Sequence, residues 1–102
     1  MQMTIEMEQE KILADGKYRV AEVYHCIDQI FRDQGIKIDW DGKCRTYTDT
    51  SEQALSHFFI CMDILEKSEW FMKYVSRWLL ITPNTTENIL EEKQKYEAKH
   101  GR

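Results

Sequence analysis

Proline occurs once, at Pro83, and the four glycines stand apart at positions 16, 35, 42 and 101. Disordered chains are rich in proline and poor in aromatics. Four Phe, five Tyr and three Trp in 102 residues put this chain outside that class. Dispersed glycines exclude a phosphate-cradling loop, which needs several of them between a strand and a helix. No apolar stretch approaches the ~20 residues that span a bilayer. The longest are Phe58 to Met62 and Trp78 to Ile81.

Other absences narrow the class further. Met1-Gln2-Met3-Thr4-Ile5-Glu6 lacks the cationic and apolar regions of a secretory signal. The three cysteines are odd in number and contain no CxxC pair. Free thiols in a reducing compartment follow, so a cytoplasmic protein without a membrane partner is expected. Basic residues do not cluster, and the formal net charge is −4. A nucleic-acid binder shows a basic face. The densest cationic group, Lys37, Lys43 and Arg45, is interrupted by Asp39 and Asp41.

What is present is core material. Hydrophobic residues make up 42% of the chain. At this length folding buries about two-thirds of the unfolded surface, enough for one core without staples. A single domain over 1–102 is expected, with 1–14 and 85–102 as weakly docked terminal segments.

Periodicity divides the chain. Met1, Met3, Ile5 and Met7 alternate as in a strand, but Thr4 with Glu6, Glu8 and Glu10 resembles a helix start. The helix is the favoured reading. Val20, Val23, Tyr24, Ile27, Ile30 and Phe31 predict a helix over 17–34, closed by Gly35. Ile36, Ile38 and Trp40, then Asp41-Gly42, then Cys44 to Thr48 predict a β-hairpin. A two-residue turn there sets Trp40 opposite Lys43 and Ile38 opposite Arg45. Asp49 to Gln53 carries capping-box spacing for a helix over about 51–66, with a break near Lys67-Ser68. A helix over 69–81 and a last one over about 85–99 follow. The expected fold is mainly α, with four to five helices and one hairpin between the second and third.

Five constellations invite a chemical reading. Trp70, Tyr74 and Trp78 share one helical stripe, Leu80 projects from the polar face of the same helix, and Trp and Tyr are enriched in interface cores. The helix before it is apolar nearly all round, which places it at the centre of the domain or under a partner. Lys37, Lys43, Arg45 and Tyr47 mix cations with an aromatic, as nucleic-acid stacking platforms do. Cys26, Cys44, His57 and Cys61 offer a zinc ligand set, but at no zinc-finger spacing. A cysteine nucleophile fails first on geometry. His25 and Cys26 point about 100° apart on their helix, and His57 beside Cys61 reads as a semi-buried core histidine. Asp39-Trp40-Asp41-Gly42-Lys43 fails as a calcium loop, because Lys37 and Thr48 fall where its first and last acids belong.

The leading expectation is a small non-catalytic protein-interaction or regulatory module that also self-associates, built on Trp70, Tyr74, Trp78 and Leu80. A nucleic-acid accessory factor using the 36–48 hairpin is the alternative, and a metal-stabilised module the third. No cofactor is expected.

Overall fold

A computed structural model describes residues 1–41 and 44–100 of the chain. In chain order the elements are β1 (Gln2–Met7), α1 (Gln9–Asp15), α2 (Val20–Arg32), β2 (Lys37–Asp41), β3 (Cys44–Thr48), α3 (Ala54–Glu66), α4 (Glu69–Tyr74), β4 (Val75–Ile81), β5 (Thr86–Asn88) and α5 (Ile89–His100). The strands form one antiparallel sheet in the order β2-β3-β1-β4-β5. The fold is therefore α+β with a five-stranded sheet, and the mainly-α expectation with one hairpin is corrected.

The first correction lies in β1. Residues 2–7, for which the start of a helix in the weakly docked 1–14 segment is the favoured reading of the sequence, form the central strand. Met3, Ile5 and Met7 are buried, whereas the alternate side chains are not. The period-2 signal won over the acidic one because both edges of β1 find partners. Tyr47 of β3 lies opposite Met3 on one side, and Leu80 of β4 on the other.

The second lies in 69–81, expected as one helix. The helix stops at Tyr74 and the chain runs on as β4. The register explains the false period. Glu6 pairs with Arg77 but Met7 pairs with Val75, so Ser76 is an extra residue. Such a bulge sends Val75 and Trp78 to the same face although they are three apart, which is helical spacing.

The hairpin forms, with a different register. Trp40 pairs with Arg45 and Ile38 with Tyr47. Each pairing lies two positions further along β3 than expected, and a shift of two preserves the faces. The 85–99 segment begins as the short strand β5, and Asn88 Oδ1 accepts the Glu91 backbone N–H at 2.9 Å to start α5.

Helices α2 and α3 lie side by side on one face of the sheet. Phe31 of α2 stacks flat on Tyr47, with ring centres 3.8 Å apart. Phe31 also meets Phe58 of α3 at 6.2 Å. Phe71 of α4 stands edge-on to Trp78 at 5.0 Å, and Trp78 Nε1 points at Met3 Sδ, 3.2 Å away. This layer holds the core. Among the described residues no helix is long and apolar enough to cross a membrane.

Candidate functional site

α3 has thirteen residues and two unlike sides. At 100° per residue, Ala54, Phe58, Cys61 and Leu65 share the side that faces the sheet and α2, and all four are buried. The helix is apolar nearly all round, and one sheet covers one side. The opposite side therefore leaves large apolar groups in water. Leu55 is 46% exposed, Phe59 53%, Ile60 45% and Ile64 40%.

These four form two ridges, Leu55 with Phe59 and Ile60 with Ile64, each spaced i,i+4. Ser56, Asp63 and Lys67 run between the ridges. Lys67 Nζ donates to Asp63 Oδ2 at 3.0 Å. The face is bounded at its ends. Glu66 pairs with Lys93 of α5 at one end. At the other, His57 Nδ1 lies 2.6 Å from Asp49 Oδ2. Four exposed apolar groups gathered in two ridges on one helix differ from scattered surface leucines, which need no explanation.

The aromatic stripe occupies a different place. Trp78, Tyr74 and Leu80 lie inside the chain's own core. Tyr74 reaches out only through its hydroxyl, which donates to Asp15 Oδ2 at 2.8 Å. Lys73 Nζ meets the same carboxylate oxygen at 2.8 Å. These donors hold the Asp15 carboxyl below the usual carboxylate range, and Asp15 in turn raises Lys73 and Tyr74. Only Trp70 of the four stays half-buried. It lines a cleft of 230 Å³ with Tyr18, Glu22, Val23 and Cys26. Small-molecule sites start near 300 Å³, so this cleft is small for one.

The cation and aromatic set is divided. Lys37 is exposed on β2, and Lys43 lies outside the described residues. Arg45 turns inward, its Nε 3.3 Å from Asp28 Oδ1 and its guanidinium 4.6 Å from the centre of the Tyr24 ring. Tyr47 donates its hydroxyl to the same Asp28 oxygen at 2.8 Å. Burial first, then the Asp28 charge, pushes the Tyr47 hydroxyl far above its ordinary value. Arg45 and Tyr47 thus bind the sheet to α2.

The thiol and imidazole set is scattered. Cys26 is exposed on α2, Cys44 sits on β3 with its Sγ 3.4 Å from Glu6 Oε1, and Cys61 is buried beneath α3. Burial pushes the Cys61 thiol up to about 12, which disfavours the thiolate. His57 is engaged with Asp49. Among the described residues no three His, Cys, Asp or Glu side chains converge on a metal position.

Compared with known protein families, curated proteins and solved structures, the chain matches none. Its function must therefore be read from its own surface. The outward side of α3 is the strongest feature there. The sequence signal for it was the low amphipathicity of 54–66. That signal says two sides are apolar, but not which one the sheet takes.

Proposed function

We propose that this chain is a small non-catalytic protein-interaction module, with Leu55, Phe59, Ile60 and Ile64 on α3 as its contact surface. One observation carries the reading. Four large apolar side chains stand exposed on one helix whose other side already fills a core. Each square ångström of apolar surface removed from water is worth about 25 cal/mol, so a partner that covers these ridges gains directly. Helical ridges spaced i,i+4 are a recurrent docking form. An intracellular setting is part of the proposal, supported by the free thiols of Cys26, Cys44 and Cys61.

Site-specific photo-crosslinking in the native cell tests it. A photoreactive residue at position 59 should yield a discrete protein adduct. The same residue at Lys11, exposed on α1, should not. Equal yields from both positions, or none from 59, overturn the reading.

A further inference from the structure

The outward side of α3 is self-complementary. Its residues in order are Glu52, in the turn that leads into the helix, then Leu55, Ser56, Phe59, Ile60, Asp63, Ile64 and Lys67. Glu52 lies at one end and Lys67 at the other, with the apolar groups, Ser56 and Asp63 between them. We infer that the occupant of this face is a second copy of the chain, with the two α3 helices packed antiparallel about a two-fold axis between Phe59 and Ile60. The inference rests on reading α3 as a contact surface.

The charges select this orientation. An antiparallel two-fold at that point sets Glu52 opposite Lys67 of the partner subunit. It sets Ser56, a hydroxyl donor, opposite Asp63 of the partner subunit. Phe59 then faces Ile60 of the partner subunit on each side of the axis. A parallel pair would set Asp63 over the partner's Asp63 and Lys67 over the partner's Lys67, and like charges in register suppress a pairing. Two-fold contacts are the commonest way a protein meets its own copy, because one patch serves both sides.

The magnitude is modest. Thirteen helical residues are about 20 Å long at 1.5 Å each. A single helix pair of that length falls at the small end of specific interfaces, below about 1,200 Å² in total. The dimer should therefore exchange with monomer in the micromolar range rather than persist as an obligate unit.

Sedimentation velocity of the full chain across the micromolar range tests this. The wild type should pass from monomer to dimer with concentration. Phe59→Glu should abolish the dimer. Glu52→Lys and Lys67→Glu should each weaken it about tenfold, and the two combined should recover most of the loss, as a restored cross-pair requires. Glu52→Lys keeps the test clean, because Glu52 lies outside the Asp63–Lys67 pair within one helix. A dimer indifferent to all these changes uses another face and overturns this inference, and the α3 reading falls with it only if position 59 gives no crosslink. A monomer at every concentration overturns the second-copy inference alone if position 59 still crosslinks to a different protein. A monomer that gives no such crosslink overturns both.

Discussion

Tyr47 on β3 and Asp28 on α2 share a hydrogen bond of 2.8 Å, and Asp28 is the one charged residue in the described part of the chain that is buried. The same carboxylate oxygen faces Arg45 Nε. One acid therefore fastens the edge half of the sheet to the helix above it. A buried charge is tolerated only where its partners are all present. Asp28→Ala removes the carboxylate that faces both Arg45 and Tyr47 and should cost about 3 kcal/mol. Tyr47→Phe removes one donor and should cost about 1 kcal/mol. Urea unfolding of the two single variants and the double variant should give a coupling near 1 kcal/mol, and strict additivity would show that the bond does not act.

Asp49 joins the end of β3 to the first turn of α3. Its Oδ2 lies against His57 Nδ1, and its Oδ1 accepts the Ser51 backbone N–H at 2.8 Å. With the carboxylate ionised, the ring nitrogen is the donor. The bond from His57 first, then that from Ser51, holds the Asp49 carboxyl down at about 2. A carboxyl lowered on folding adds stability that is complete above its unfolded value near 4 and is lost as pH falls through the folded one. Asp49→Asn should therefore cost about 1–2 kcal/mol at neutral pH, discounted for the part-exposed His57. Thermal melts should show that deficit shrinking between pH 4 and pH 2. A deficit that stays constant with pH would place its origin elsewhere.

Phe58 and Phe59 are neighbours in sequence and opposites in setting. Phe58 is fully buried and Phe59 is 53% exposed. Phe58→Ala should cost about 3–5 kcal/mol through the lost contacts and the cavity left behind. Phe59→Ser should change the stability of the monomer by no more than about 0.5 kcal/mol. Measured below the association range, similar losses at the two positions would mean that α3 is rotated from the arrangement described.

Much of this architecture was readable from residue order. The stripe from Val20 to Phe31 defines α2, and the break at Lys67-Ser68 separates α3 from α4 as the spacing predicted. Ile38 and Tyr47 were correctly identified as strand residues. Their pairing was not, because Asp41-Gly42 is a strong turn signal and the register is set by contacts across the sheet. β1 was hidden by its glutamates, since a strand's claim on Met3 and Ile5 depends on partners more than forty residues away. β4 was hidden by the extra residue at Ser76, which gave Val75 and Trp78 a helical interval. The contact surface suffered from the same uncertainty. Once 75–81 is a strand, Trp78 and Leu80 belong to the core, and the apolar excess moves to the outer side of α3.

The cysteines provide a chemical check on this layering. Cys26 is exposed, whereas Cys61 is buried and its thiol is pushed up to about 12. Alkylation follows the thiolate. In iodoacetamide labelling at pH 8 read by mass spectrometry, Cys26 should modify readily and Cys61 only as fast as the protein opens. Denaturant should bring Cys61 to the rate of Cys26. Rapid native labelling of Cys61 would contradict the packing of α3 on α2.

The placement of β1 also imposes an order of events during synthesis. Of the five strands the earliest in chain order is the middle of the sheet, and when it is made neither of its neighbours exists yet. Gln2 to Ile5 gain one edge partner only when Thr48 has been made, and the other only at Ile81. Pairings so distant along the chain are slow to close, because the loop entropy comes before the contacts that offset it. The helices can form as they emerge, but the sheet that orients them assembles only once Ile81 has been made.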